Sequence, residues 1–197
     1  KAIVKAFLAV GLDAVGFSGV DGGLLRCRKK HHPTTDLGLV GEIVTVRVDF
    51  LDHFAAQGIV PVISPISLGE DGQTYNVNAD EAAGAIAQAL PAQALDFVSN
   101  VPGVLQDGRL LSTLSPTQAE ALISQGIIDG GMIPKVRTAL DALDRGVPQV
   151  RIVNLGGLSA DGGTTFATEP DTRIGDRDST SGAQYVGTPN GAVADFV

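Results

Sequence analysis

Cysteine, methionine and aromatic residues are scarce in this sequence: one Cys, one Met, two Tyr and no Trp. The lone Cys27 excludes an intrachain disulfide framework and a cysteine-rich zinc site, and it is compatible with a reducing compartment. Basic residues are few as well, 14 Lys and Arg against 22 Asp and Glu, giving a net charge of −8. The densest basic run, RCRKK at residues 26–30, is short and reads as a solvated hairpin rather than a nucleic-acid surface. A chain this acidic has to bind anions locally, through helix N-termini and a few lysines. No apolar run approaches the roughly 20 residues of a membrane-crossing helix, so neither nucleic acid nor a membrane is an expected partner. The histidines, His31, His32 and His53, lack metal-ligand spacing and read as surface residues, which leaves no protein metal site. Walker GxxxxGK[ST], GxSxG and HExxH patterns are all missing.

What is present suits one α/β domain with a substantial core: 197 residues, 44% hydrophobic and 18% charged. The opening residues, lysines followed by apolar side chains, imitate a secretory leader. They read better as the end of an amphipathic helix with Ala2, Val4, Phe7 and Leu8 inward, running into a strand over 14–18. The first residue is Lys rather than Met, as expected of a chain that begins inside a longer protein. Residues 24–30 and 39–48 form a hairpin, and 50–57 a helix ending at Gly58. The run IVPVISPI at 59–66 is apolar enough to be buried on both faces, its prolines marking a strand end or irregularity. A helix spans 80–90 with Asp80 as its cap, and a buried strand follows at 94–99. Ser115 caps a helix over 116–124 with Pro116 at its first position. A helix over 132–144 ends at Gly146, and 149–154 is the last clear strand. Strands alternating with helices predict a mainly parallel sheet with helices on both faces. Ligands of such sheets sit beyond the carboxyl ends of the strands. Residues 1–166 form the domain, and 167–197, rich in Thr, Ser, Gly, Asp and Pro, read as a polar tail, mobile or docked as a loop.

Two segments bear most on chemistry. In YNVNAD (75–80), Asn76 and Asn78 occupy alternate positions of an extended stretch before the helix. Their amides suit recognition of a carboxylate or an amide, or simply a turn. Asp80 caps the helix, and its second oxygen is available to hold a lysine or a Mg²⁺-bound phosphate. In GGMIPKV (130–136), Gly130 and Gly131 precede a helix with Lys135 about one turn in, where amides and dipole favour negative charge. Lys135 there either neutralises charge developing on a transferred phosphoryl group or is a surface lysine after a flexible turn. SNVPGV (99–104) follows a buried strand, where a nucleotide often lies. The glycines of GFSG and DGG, residues 16–23, read as turn chemistry.

With YNVNAD, SNVPGV and GGMIPKV in this order, supported by AVGFSGVDGGLL, DLGLVGEI, GIVPVISPI and GVPQVRIVN, residues 1–155 resemble the N-acetylglutamate kinases of the amino acid kinase family. That resemblance implies a three-layer αβα sandwich, ATP with Mg²⁺ held mostly by phosphate oxygens and water, and N-acetyl-L-glutamate as phosphoryl acceptor in arginine biosynthesis. It also implies a cytoplasmic homo-oligomer, dimer or hexamer. By the same resemblance Asn76 and Asn78 bind the acceptor, Asp80 orients the catalytic lysines, and Lys135 stabilises the moving phosphoryl. Ser99, Asn100 and the loop to Gly103 line the nucleotide site, with Gly130 and Gly131 beside the phosphates. Three departures stand out. The family's opening Lys-x-Gly-Gly strand and its substrate-binding arginine do not occur, as if the first quarter were lost. The usual Asp after the nucleotide-site Ser or Thr is Asn100. The closing strands match poorly apart from Gly163, Thr164 and Thr165. On these grounds the 197 residues alone are expected to turn over weakly or not at all. The alternatives are a non-catalytic, ligand-binding or regulatory subunit and a kinase of a related acyl amino acid such as carrier-linked aminoadipate.

Overall fold

The structure is a computed structural model that describes residues 1–158 and 162–168, together with the backbone of a strand at Gly191–Ala194. Its first half contains α1 (Ala2–Ala9), β1 (Ala14–Ser18), β2 (Leu25–Lys29), β3 (Gly41–Val46), α2 (Val48–Ala55), β4 (Val60–Ser64), β5 (Ile66–Gly69), β6 (Thr74–Asn76) and α3 (Ala79–Ala89). The second half contains β7 (Ala94–Val98), β8 (Leu105–Gln106), β9 (Arg109–Leu110), β10 (Thr113–Leu114), α4 (Pro116–Ser124), α5 (Met132–Asp144), β11 (Val150–Val153), α6 (Leu155–Leu158), β12 (Thr164–Phe166) and β13 (Gly191–Ala194).

β7 runs parallel to both β11 and β13, with β12 antiparallel to β11 and β10 parallel to β12, in the order β10-β12-β11-β7-β13. A second sheet has the order β3-β2-β5-β6, and β1 pairs parallel with β4. This is the parallel-rich α/β arrangement that alternating strands and helices predict. The hairpin of β2 and β3 is antiparallel, as expected, with a bulge between Arg26 and Cys27; along β2, Leu25 and Cys27 are buried while Arg26 and Arg28 are exposed. The helix of Pro116–Ser124 is closed by a full capping box. Ser115 Oγ accepts from the Gln118 amide, and the Gln118 side chain accepts from the Ser115 amide.

Two hydrophobic cores lie on either side of α3. One joins Leu24, Leu25, Leu51, Tyr75 and Val77 with Ala82 and Ile86 of α3. The other joins Leu95, Phe97, Val136, Ile152 and Phe166 with Ala87 of the same helix. The alanine-rich sequence of α3 makes this double packing possible, because short side chains let strands and helices approach from two directions. At Gly84 the approach to α5 is close enough that an added Cβ would lie 3.6 Å from Thr138 Cγ2. On the face of the larger sheet opposite the Leu95, Phe97 and Ile152 side chains, Asp96 on β7 and Arg151 on β11, paired in register, form a bidentate ion pair with both N···O distances 2.7 Å.

Four expectations need correction. α1 buries no residue: Val4 and Phe7 are half-buried, while Ala2 and Leu8 face solvent. The run at 59–66 is not a strand buried on both faces. Pro65 interrupts it between β4 and β5, which join different sheets, and β4 is only half-buried because β1 alone pairs with it among the described residues. The third correction concerns the cap of α3, which is Asn78 and not Asp80. Lastly, nothing in the sequence marked a strand within the polar tail, yet β13 pairs with β7 from Gly191↔Ala94 to Ala194↔Phe97. The rest of the tail expected at 167–197 lies, beyond residue 168, outside the described residues.

Removing one partner of a nearly buried bidentate pair leaves the other charge poorly compensated in a low-dielectric setting. Asp96→Ala is therefore expected to destabilise the chain by about 3 kcal/mol, read as a lowered urea midpoint. A midpoint within error of the parent's would show that the pair contributes nothing net.

Candidate active site

The N-terminus of α3 is organised by three consecutive demands on its sequence. Asn78, at the cap, accepts a hydrogen bond from the Glu81 amide through Oδ1 at 3.1 Å. That places Asp80 and Glu81 in the first turn, where carboxylates are favoured by the exposed amides and the helix dipole. Asp80 could not serve as the cap itself, because the helix has already begun at Ala79. Its carboxylate is thereby released to reach α5. Lys135 Nζ donates to Asp80 Oδ1 at 2.8 Å and to Oδ2 at 2.9 Å, with only about a fifth of either side chain exposed (20% and 22%). The next residue, Glu81, turns the other way and accepts from Lys30 Nζ at 2.7 Å, at the end of β2.

Lys135 stands one turn into α5, as the sequence implied. The helix starts at Gly131 without a side-chain cap, and Gly130 before it adopts a φ of +49°, a conformation that favours glycine. No side chain caps α5, yet its first amides are engaged: that of Met132 donates to the Asp129 carbonyl at 3.0 Å and that of Ile133 to the Gly130 carbonyl at 3.3 Å, while Pro134 has no N–H. The helix dipole rather than free amides therefore favours an anion here. Here Lys135 borders a cleft of about 490 Å³ that it shares with Ser99, Asn100, Gly103, Asp129 and Gly131. Five of the nine residues singled out in the sequence thus meet in one cavity: Ser99, Asn100, Gly103, Gly131 and Lys135. Asp80 joins them through Lys135, while Gly130 is adjacent in the chain but is not part of the cavity wall.

Gly103 has a structural reason beyond ligand approach. Its φ is +147°, and a Cβ there would come within 2.6 Å of Thr164 Oγ1. Thr164 is fully buried; its hydroxyl accepts from the Val104 amide at 2.8 Å and donates to the Leu111 carbonyl at 2.7 Å. The loop after β7 is in this way fastened to β12, which fixes one wall of the cleft. The Gly-Thr end of residues 163–165, noted in the sequence, performs that fastening.

Asn76 and Asn78 do not border this cleft. Both are exposed on one face of an extended segment whose alternate residues, Tyr75 and Val77, are buried. The Asn76 amide donates to the Leu39 carbonyl at 2.9 Å, so the hairpin loop of residues 30–40 is tied down beside them. At its other end that loop is held by the Lys30–Glu81 pair. The YNVN segment and the cleft therefore lie on the two sides of Asp80. Sequence reasoning missed the cleft's apolar walls, Val104, Leu105, Ile127 and Met132, and the ring of Phe97, whose centroid is 5.5 Å from Lys135 Nζ. Apolar residues carry no signal that separates a cleft wall from a core. Cys27 is buried, and desolvation pushes its thiol up from the usual range, which disfavours the thiolate. No cluster of three or more His, Cys, Asp or Glu side chains that could hold a metal occurs among the described residues, and no helix among them is long and apolar enough to cross a membrane.

Residues 1–154 match the amino acid kinase family. The chain belongs to that family. It is 55% identical over 167 residues to a protein named acetylglutamate kinase from Chloroflexus aurantiacus, covering 84% of this chain and 65% of that protein. A Geobacillus thermodenitrificans protein of the same name is 51% identical over 154 residues, covering 78% of this chain and 59% of its own length. The chain thus spans less than two thirds of these relatives. Among solved structures, a Streptococcus mutans protein superposes with a TM-score of 0.74 at 26% identity, over 84% of this chain and 65% of that one. The fold is the αβα sandwich of amino acid kinases that the resemblance implied.

The capping role of Asn78 can be tested by two substitutions. Asn78→Asp retains a capping oxygen and is expected to leave stability within about 0.5 kcal/mol of the parent, whereas Asn78→Ala costs about 1 kcal/mol. Thermal melts of both variants check this. Equal loss in the two would mean that the amide nitrogen, not the cap, holds the helix start.

Proposed function

We propose that this kinase domain, residues 1–166, binds ATP and N-acetyl-L-glutamate and transfers the γ-phosphoryl group to the side-chain carboxylate of the acceptor, forming N-acetylglutamyl 5-phosphate for arginine biosynthesis. The observation that carries this reading is the Lys135–Asp80 pair at the border of the cleft, beyond the carboxyl end of β7. The names of the relatives, at identities of about half, support the choice of acceptor.

In this reading the nucleotide occupies the cleft, with Ser99, Asn100 and Gly103 against it and its phosphates toward Gly130, Gly131 and the positive end of the α5 dipole. Asn76 and the free amide nitrogen of Asn78 hold the acceptor's polar groups on the other side of Asp80. A carboxylate oxygen of the acceptor attacks the γ-phosphorus in line, the new O–P bond forms as the bond to the bridging oxygen breaks, and ADP leaves. The acceptor is already an anion, so no general base is required. What the site must supply is positive charge, and Lys135 provides it where charge is spread over the equatorial oxygens. Asp80 keeps the ammonium aimed through two hydrogen bonds. Mg²⁺ would enter on the nucleotide's phosphates and supply further charge neutralisation. A cytoplasmic homo-oligomer, dimer or hexamer, belongs to this reading.

Incubating the chain with ATP, Mg²⁺ and hydroxylamine should yield hydroxamate with N-acetyl-L-glutamate, slowly, and none with L-glutamate or L-aspartate. Lys135→Ala should lower kcat by about 10²–10³-fold while changing KM only a few-fold. Product that persists at the parent's kcat in Lys135→Ala would remove Lys135 from the chemistry. Absence of product together with absence of ATP and acetylglutamate binding by calorimetry would refute the reading. Binding without turnover would favour a ligand-binding subunit.

A further inference from the structure

We propose that Phe97 is the positioning residue for the Lys135 ammonium, holding it by the face of its ring against the outward movement that Asp80 alone permits. This deepens the kinase reading and rests on it for its consequence in turnover, though not for its physical test. The starting observation is geometric. Lys135 Nζ is 2.8 and 2.9 Å from the two oxygens of Asp80 and 5.5 Å from the Phe97 ring centroid, within the range of a cation–π attraction.

The two partners of Lys135 differ in what they do to its charge. Asp80 carries a full negative charge and so diminishes the positive potential that Lys135 offers to a phosphoryl group. A ring attracts the ammonium through its quadrupole and carries no net charge, leaving that potential intact. The carboxylate is also the more adjustable partner, since its side chain is about a fifth exposed and can rotate. Phe97 cannot. It is fully buried in the centre of its sheet, registered against Ile152 of β11 and Ala194 of β13. Two neighbours thus hold one ammonium, a carboxylate on α3 that pairs with its charge and a ring on β7 that sets its position. The remaining ionisable group that shares the cleft with Lys135 is Asp129, which is exposed.

Removing the ring outright would also remove core volume, so the decisive series keeps the shape and changes only the quadrupole. The full chain is prepared with 4-fluoro-, 3,5-difluoro- and 3,4,5-trifluorophenylalanine at position 97, alongside Phe97→Leu. The lysine ε-carbons are labelled with ¹³C. The sequence has five lysines, and Lys135→Arg identifies the signal of interest by its loss. Two results are expected. The Lys135 ε-protons are displaced upfield by ring current in the parent and return toward the positions of the other lysines in Phe97→Leu. The protonation constant of Lys135 falls stepwise along the fluorinated series, by about threefold in total, as the ring's attraction weakens. An unchanged Lys135 titration along the series, or the lack of any ring-current displacement in the parent, overturns the proposal. Hydroxamate formation is measured in parallel. If turnover is present, kcat falls in the order of fluorination with KM nearly constant, whereas a merely structural Phe97 would leave the fluorinated variants equal to the parent. If no variant turns over, calorimetric binding of ATP and acetylglutamate decides the kinase reading separately, and the titration series still decides the role of the ring.

Discussion

The two carboxylates that open α3 hold lysines coming from opposite directions, and the arrangement of the whole site depends on this. Asp80 takes Lys135 from α5, and Glu81 takes Lys30 from the hairpin of β2 and β3. The same helix contributes Ala82 and Ile86 to one core and Ala87 to the other. α3 is therefore a shared wall, and its first turn is where the two halves exchange charge. Of the two pairs, the first is the more consequential electrostatically. Its side chains are about one-fifth exposed against about one-third for Lys30 and Glu81, and solvent screens the more exposed pair more strongly.

Helix starts of this kind solve a geometric problem. A carboxylate that caps its own helix has its oxygens turned toward the backbone amides and cannot project far. Shifting the cap two residues earlier, to Asn78, leaves Asp80 with helical geometry and a side chain directed along the flank of α3 toward its neighbour. The lysine it meets stands at an equivalent place, one turn into a helix whose own start is uncapped by any side chain. One helix N-terminus and one ion pair thus set a dipole and a positive group beside a cleft, in a chain whose net charge is −8.

Much of this was legible in the sequence where local chemistry dictates structure. Ser115 followed by Pro116 specified the start of α4, although the part played by Gln118 in the capping box emerged only in the structure. Gly130 and Gly131 specified the start of α5, and Lys135 was placed on its first turn. The long-range pairing of Asp80 with Lys135 followed from the family resemblance rather than from spacing, because fifty-five residues separate them and no periodicity links them. The cap of α3 was misassigned because Asn78 and Asp80 are both favourable cap residues, and only the hydrogen bond to the Glu81 amide distinguishes them. The exposed flank of β4 and the outward Leu8 were misread because an apolar run indicates burial without stating what will cover it. Phe97 was invisible as a site residue for the same reason: a buried aromatic on a central strand looks like any other core side chain.

Gly84 turns the spacing of α3 and α5 into an adjustable quantity. With open room for little more than a methyl between its Cα and Thr138, each larger side chain at that point would act as a spacer of known thickness between two helices. One turn away, the length of the Lys135–Asp80 contact would respond. The balance between a lysine engaged by its own carboxylate and one available to an incoming anion could thus be graded by side-chain volume, at a residue that bears no charge.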